Sequence, residues 1–118
     1  MHELALAQEI LRIAEKTAAE ADAYLVTRID LEVGTLAGVM VHALEFGLEA
    51  SKINTLAESA TIEIQTIEGR GICGSCKKEY PAEAIFAQCP ICSDSFLSIV
   101  SGTEFTVKAI EVECDVNV

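Results

Sequence analysis

The stretch CGSCKKEYPAEAIFAQCPIC, residues 73–92, decides how the rest of the chain must be read. Cys73 and Cys76 form one CxxC turn, twelve residues follow, and Cys89 and Cys92 form a second. Two such turns can offer paired sulfurs to one ion and complete the four-thiolate tetrahedron that zinc favours in structural sites. Gly74 and Pro90 suit the tight turns that bring cysteines three apart to the same side. Three other readings of the cysteines compete with zinc. Disulfides are disfavoured because no secretory signal is visible. A thioredoxin-like redox site needs one CxxC at the junction of a buried strand and a helix, and neither pair follows such a strand. An iron–sulfur cluster can use the same four ligands, but twin turns around a short hairpin favour zinc. A closed set of thiolates leaves no open coordination position, so the expected role of the site is structural rather than catalytic. The chain is not expected to be an enzyme.

Outward from this insert the chain alternates in period. Leu4, Ala7, Leu11, Ala14 and Ala18, joined by Leu6, Ile10 and Ile13, make a broad helical stripe in a segment rich in good helix formers. YLVTRIDLEVG, residues 24–34, changes to period two, with Leu25, Thr27, Ile29, Leu31 and Val33 on one face. From Val39 to Ile53 the period lengthens again, with Met40, Leu44, Gly47 and Leu48 on one side and Phe46, Ala50 and Ile53 adjoining, until the Asn54–Thr55 turn. Ala60, Ile62 and Ile64 mark a second strand. A third, near the C-terminus, carries one phase on Phe105, Val107 and Ala109 and another on Ile110, Val112 and Cys114, so a bulge is expected near Ala109. Two amphipathic helices covering one face of a small three-stranded sheet is the economical packing. The expected class is therefore α+β, with a domain of residues 1–69 plus 99–118 and an inserted four-cysteine domain of residues 70–98. Tyr80, Ile85 and Phe86 are the expected miniature core of the insert, and Cys114 is read as a small buried hydrophobe rather than a ligand.

The chain has 118 residues, 51% of them hydrophobic, and a formal charge of −11. Residues 1–69 hold 12 acids against 4 bases, whereas residues 70–97 are balanced at 3 and 3. Such a surface repels phosphate backbones, which argues against nucleic acid and favours cations or basic protein surfaces as partners. Arg70, Lys77 and Lys78 are placed in sequence to offset the charge of a thiolate site. No apolar run approaches the roughly 18 residues of a membrane span, and no targeting segment opens the chain. A cytoplasmic protein without membrane attachment is expected.

Several motifs together resemble the HypA/HybF family of hydrogenase-maturation nickel chaperones over essentially the whole length. They are the initial MHE running into a helix, EVGTLAGV at residues 32–39, LEFGLEA at 44–50, the two CxxC pairs, and TEFTVKAIEVE at 103–113. Where the family often carries an acidic residue at the start of the second helix, this chain has Val41 and His42. The resemblance implies nickel binding at Met1, His2 and Glu3. The Met1 amine, the His2 backbone nitrogen and the His2 imidazole can close fused chelate rings, with the Glu3 backbone nitrogen as a fourth donor, a set that Ni(II) accepts. Glu3 is expected to supply charge, orientation or a direct carboxylate contact. His42, with Glu45 and Phe46 three and four positions on, is left out of the site.

Zinc is the structural cofactor expected from the cysteine spacing, and the same resemblance implies nickel as cargo. It implies as partners the nickel-handling GTPase HypB and the large subunit of a [NiFe]-hydrogenase, with urease maturation proteins served in some lineages. A competing reading is a zinc-ribbon adaptor that binds protein or nucleic acid and never carries nickel. A redox enzyme using the CxxC thiols is weaker, because tightly bound zinc would occupy them.

Overall fold

The computed structural model describes residues 2–115, and of His2 the backbone alone. The order of elements is α1 (His2–Glu20), β1 (Ala23–Gly34), α2 (Val41–Ser51), β2 (Thr61–Ile67), β3 (Arg70–Cys73), β4 (Glu79–Pro81), β5 (Leu97–Ser101) and β6 (Phe105–Cys114). The class is α+β, as the periodicities imply. One sheet has the order β2-β1-β6 and a second, unforeseen in the sequence, has the order β4-β3-β5. The chain gathers into two compact units, one from Met1–Leu31, Val39–Ile64 and Val107–Val118, the other from Glu32–Gly38 and Gln65–Thr106. Among the described residues no helix is long and apolar enough to cross a membrane.

In the first unit α1 buries a narrow stripe of Ala7, Ile10, Leu11, Ala14 and Ala18. Three of these five are alanine, so α1 can approach its neighbours closely. It does so against α2 at Gly47, where an added Cβ would lie 3.3 Å from Ala7 Cβ and 3.6 Å from Leu4 Cα. Leu44 and Leu48 fill the space on either side of that crossing and are fully buried. Met40, Phe46 and Ile53, expected on or beside the packed face, are instead exposed, Phe46 at 78%. The reason is length: α2 spans only Val41–Ser51, so Met40 and Ile53 fall outside it, and its buried stripe is the narrow Leu44–Gly47–Leu48 line.

The face of β1 is legible from Ile29 onward, where Ile29, Leu31 and Val33 are buried in alternation. It slips near the strand's start, where Val26 is buried and Leu25 is not. Val26 donates its N–H to Leu56 O at 3.0 Å, and the same loop buries Ala57 and Ala60. A covering loop therefore overrides simple alternation there. In β6 the partly buried positions pass from Val107 to Ile110 and Val112, the two phases the sequence carries. Cys114 is a correction: it is exposed, with its Sγ 3.4 Å from Ala21 O. It lies at the last residue of the strand, where little remains to cover it.

The second unit is built on the β3 hairpins. Strand β3 pairs antiparallel with β4, Gly71 opposite Tyr80, and antiparallel with β5, Cys73 opposite Leu97. The segment after β1 joins this unit: Leu36 packs against the buried cluster of Cys73, Ala82, Cys89 and Leu97. It is fixed by hydrogen bonds from Leu36 N–H to Gly102 O at 2.7 Å and from Gly69 N–H to Thr35 Oγ1 at 2.9 Å. Gly102 has φ +104° and its carbonyl oxygen sits where a Gly34 Cβ would be. A side chain at Gly34 would therefore displace the Gly102 backbone, and one at Gly102 would meet the backbone of Gly69. Ile85 and Phe86, expected to be core, are 54% and 81% exposed. Tyr80 alone of the expected trio is half-buried in the cluster, and Ala82 and Leu97 supply the packing instead.

Candidate metal centre

The sulfurs of Cys73, Cys76, Cys89 and Cys92 all lie within 4.8 Å of one another. Cys76 Sγ and Cys89 Sγ, one from each CxxC, are 3.9 Å apart. A tetrahedron with Zn–S bonds of about 2.3 Å has an edge of roughly 3.8 Å. The cluster therefore fits zinc in both donor chemistry and size. Cys73 and Cys89 are buried and Cys76 and Cys92 half-buried, so each pair sets one sulfur inside and one toward the surface.

The two knuckles repeat one backbone pattern. Lys77 N–H donates to Cys73 O and Ser93 N–H to Cys89 O, both at 2.9 Å. Cys76 N–H points at Cys73 Sγ (3.4 Å) and Cys92 N–H at Cys89 Sγ (3.3 Å). Lys77 and Ser93, each four residues beyond the first cysteine of its pair, take positive φ of 64° and 46°. Such a conformation turns backbone N–H groups toward the enclosed sulfur. A hydroxyl contact between Ser75 and Ser95, 2.9 Å, links one knuckle to the segment after the other.

Electrostatics sort the thiols. Cys73 is pulled down to about 6, chiefly by the backbone N–H of Cys76 and helped by that of Ser75, against the opposing effect of lost water. Cys76 is lowered as well, first by the Tyr80 hydroxyl and then by the Lys78 backbone. Cys92 is pushed up to about 12, first by its sulfur contact with Cys73 and then by desolvation. With protons alone the cluster therefore resists carrying four negative charges together. A divalent cation removes that conflict by giving every sulfur a shared positive neighbour. Arg70, expected to offset the thiolates, is occupied elsewhere: its guanidinium bridges Glu68 (2.9 Å) and Glu79.

At the N-terminal end, Met1 lies outside the described residues, as does the His2 side chain. Glu3 is half-buried in the first turn of α1. Its Oε2 accepts a hydrogen bond from Met40 N–H at 3.1 Å. Met40 caps α2 without a side-chain cap of its own, so a carboxylate from α1 stands where the α2 dipole favours an anion. Next to Glu3 lies a groove of about 520 Å³ lined by Leu4, Met40, Ala43, Phe46, Gly47 and Ala50. His42 is fully exposed, with Nδ1 3.3 Å from Glu45 Oε1.

Residues 1–112 match the family described as "Hydrogenase/urease nickel incorporation, metallochaperone, hypA". The chain belongs to the HypA family. "Hydrogenase maturation factor HypA" of Geobacter metallireducens is 42% identical over 113 residues, covering 96% of this chain and all of that one. The protein of the same name from Geobacter sulfurreducens is 39% identical over the same span. The fold is similar to the solution structure of the Ni metallochaperone HypA from Helicobacter pylori, at TM-score 0.66 and 16% identity, covering 96% of this chain and 98% of that one. A second HypA solution structure aligns at TM-score 0.70 and 17% identity, covering 98% of each chain. At such identities the two structures speak for the fold alone. HypA membership makes the four cysteines part of a nickel-incorporation metallochaperone.

The Tyr80 contact with Cys76 and the left-handed Lys77 and Ser93 go beyond what the sequence reading implies. The equal spacing of those two residues behind their cysteine pairs was an available signal.

Proposed function

We propose that this chain carries Ni(II) on its N-terminal residues and delivers it in the cytoplasm during maturation of a [NiFe]-hydrogenase, while zinc on Cys73, Cys76, Cys89 and Cys92 holds the cysteine unit in shape. The observation that carries this reading is the match of residues 1–112 to a nickel-incorporation metallochaperone family. The MHE start supplies a chemically suitable site within that match. The Met1 amine, the His2 backbone nitrogen and imidazole, and the Glu3 backbone nitrogen form the planar nitrogen set that suits Ni(II). A terminal site of this kind favours transfer. The imidazole can leave first and open a position to a recipient ligand while the other nitrogens still hold the ion.

The zinc site serves a different purpose in this reading. Cys73, Cys76, Cys89 and Cys92 hold the ion, which supplies folding free energy to a unit whose buried cluster is small. The GTPase HypB and the hydrogenase large subunit are the proposed donor-side partner and recipient, with urease maturation as a further destination. An acidic chain of net charge −11 suits basic protein surfaces and cationic cargo.

The test is nickel titration of zinc-loaded protein with its native N-terminus, beside His2→Ala. One tight nickel site lost in His2→Ala, with zinc content unchanged, supports two separate sites. Equal loss of zinc and nickel in that variant, or nickel bound as tightly as before, overturns the assignment.

A further inference from the structure

The geometry points to Tyr80 as a positioning residue of the four-cysteine centre, its hydroxyl hydrogen-bonding the Cys76 sulfur so that this ligand is held in place and its reactivity damped. The inference rests on the reading of that centre as a zinc site. Tyr80 lies in β4 directly opposite Gly71 of β3, and its ring packs against the buried cluster of Cys73, Ala82, Cys89 and Leu97. Its hydroxyl oxygen is 3.5 Å from Cys76 Sγ, a usual separation for a hydrogen bond to sulfur. A metal-bound thiolate has no proton to give, so the hydroxyl must be the donor.

At Cys76 a side-chain hydroxyl joins the backbone of Lys78. Cys73 Sγ receives the backbone N–H groups of Ser75 and Cys76, at 3.3 and 3.4 Å, and Cys89 Sγ that of Cys92 at 3.3 Å. Those bonds come from the backbone of the knuckle turn and need no side-chain donor. The Tyr80 bond does: it depends on one side chain reaching across from the hairpin strand that follows the first knuckle. Cys73 and Cys89 are buried, whereas Cys76 and Cys92 are half-buried and open to reagents. Of these two outer ligands, Cys76 is the one that meets the Tyr80 hydroxyl. Hydrogen bonding draws electron density from a thiolate and lowers its nucleophilicity. Residues that hold a ligand in this way commonly change metal affinity by 10–100-fold when removed.

Tyr80→Phe keeps the ring and removes only the hydroxyl. Zinc-loaded wild-type and variant are compared for zinc per chain, for iodoacetamide alkylation mapped to each cysteine by mass spectrometry, and for the sulfur-to-metal charge-transfer band after Co(II) replacement. The expected result is one zinc in each protein, with Cys76 alkylation about tenfold faster in the variant, Cys92 little changed, and the Co(II) band moved to lower energy. Packing alone would leave the band in place. One zinc in both proteins with unchanged Cys76 alkylation and an unmoved band overturns the role of Tyr80 and leaves the zinc site standing. Wild-type protein that takes up no stoichiometric zinc overturns the site reading and this inference with it. If Tyr80→Phe does not hold zinc, 3-fluorotyrosine incorporated into Tyr24→Phe protein, where Tyr80 is the one remaining tyrosine, decides: its more acidic hydroxyl moving the Co(II) band to higher energy supports the role, and an unmoved band contradicts it.

Discussion

The Glu3 carboxylate accepts the backbone N–H of Met40, Oε2 to N at 3.1 Å, and so ties the first turn of α1 to the residue that caps α2. A side chain read from sequence as part of a metal site thus also has a place in the fold. Both roles can hold at once, since the proposed nickel donor at this residue is the backbone nitrogen. Glu3→Ala should cost about 1 kcal/mol, the usual net value of such a bond. Glu3→Gln, which keeps an acceptor oxygen, should cost less than half of that. Thermal unfolding of the two variants checks the order, and equal losses would show that the charge rather than the hydrogen bond matters.

A second prediction concerns the crossing of α1 and α2. With an added Cβ at Gly47 already 3.3 Å from Ala7 Cβ, a full leucine side chain has nowhere to go. Gly47→Leu should destabilise the protein by about 1–3 kcal/mol through overpacking, read as a lower midpoint in urea. An unchanged midpoint would mean that the helices separate freely.

The knuckles offer a test in the opposite direction. Lys77 and Ser93 hold positive φ without being glycine, a conformation that costs a residue with a Cβ roughly 1–2 kcal/mol. Lys77→Gly and Ser93→Gly should each stabilise the zinc-loaded protein, by up to about 1 kcal/mol after the extra chain entropy of glycine is subtracted. Differential scanning calorimetry at fixed zinc loading would show it.

Zinc affinity should depend on pH with a slope that changes near 6. In the metal-free cluster Cys92 is pushed up to about 12 and must lose its proton to bind at neutral pH. Cys73, pulled down to about 6 from 9.0, is already a thiolate there. Because its pKa is depressed in the fold, Cys73 contributes stability that is fully present above 9 and lost as pH falls through 6. Below about 6 it too must be deprotonated by the metal, so one more proton is released per zinc and affinity falls more steeply. Calorimetry in buffers of different ionisation enthalpy counts those protons. A count that stays constant from pH 8 to pH 5 would contradict the ordering of Cys73 and Cys92.

Where the sequence was informative, a strong periodicity or a rigid spacing lay behind it. The stripe of α1 and the alternation from Ile29 to Val33 are visible because each buries one face of a regular element. The cysteine spacing implied a four-sulfur cluster, and the cluster is there. Tertiary cover decided the failures. Val26 is buried by a loop that no local pattern announces. Ile85 and Phe86 are apolar yet exposed because the small cluster beside the cysteines is already filled by Ala82 and Leu97. Cys114 keeps the alternation of its strand but stands at the strand's end. The β4-β3-β5 sheet escaped notice because its strands have 3–5 residues, too few to show a period.

The proposed nickel site turns on whether the Met1 amine is a donor. Nickel affinity and absorption spectra of three proteins with equal zinc content settle it: the native N-terminus, one with a single residue added, and one with a long extension. A long extension carries the amine away from His2 and should weaken binding. A single added residue puts the histidine third, where an amine, two backbone nitrogens and an imidazole complete a square-planar set, so binding should hold or tighten. Nickel bound equally well with and without the long extension would contradict the proposed site.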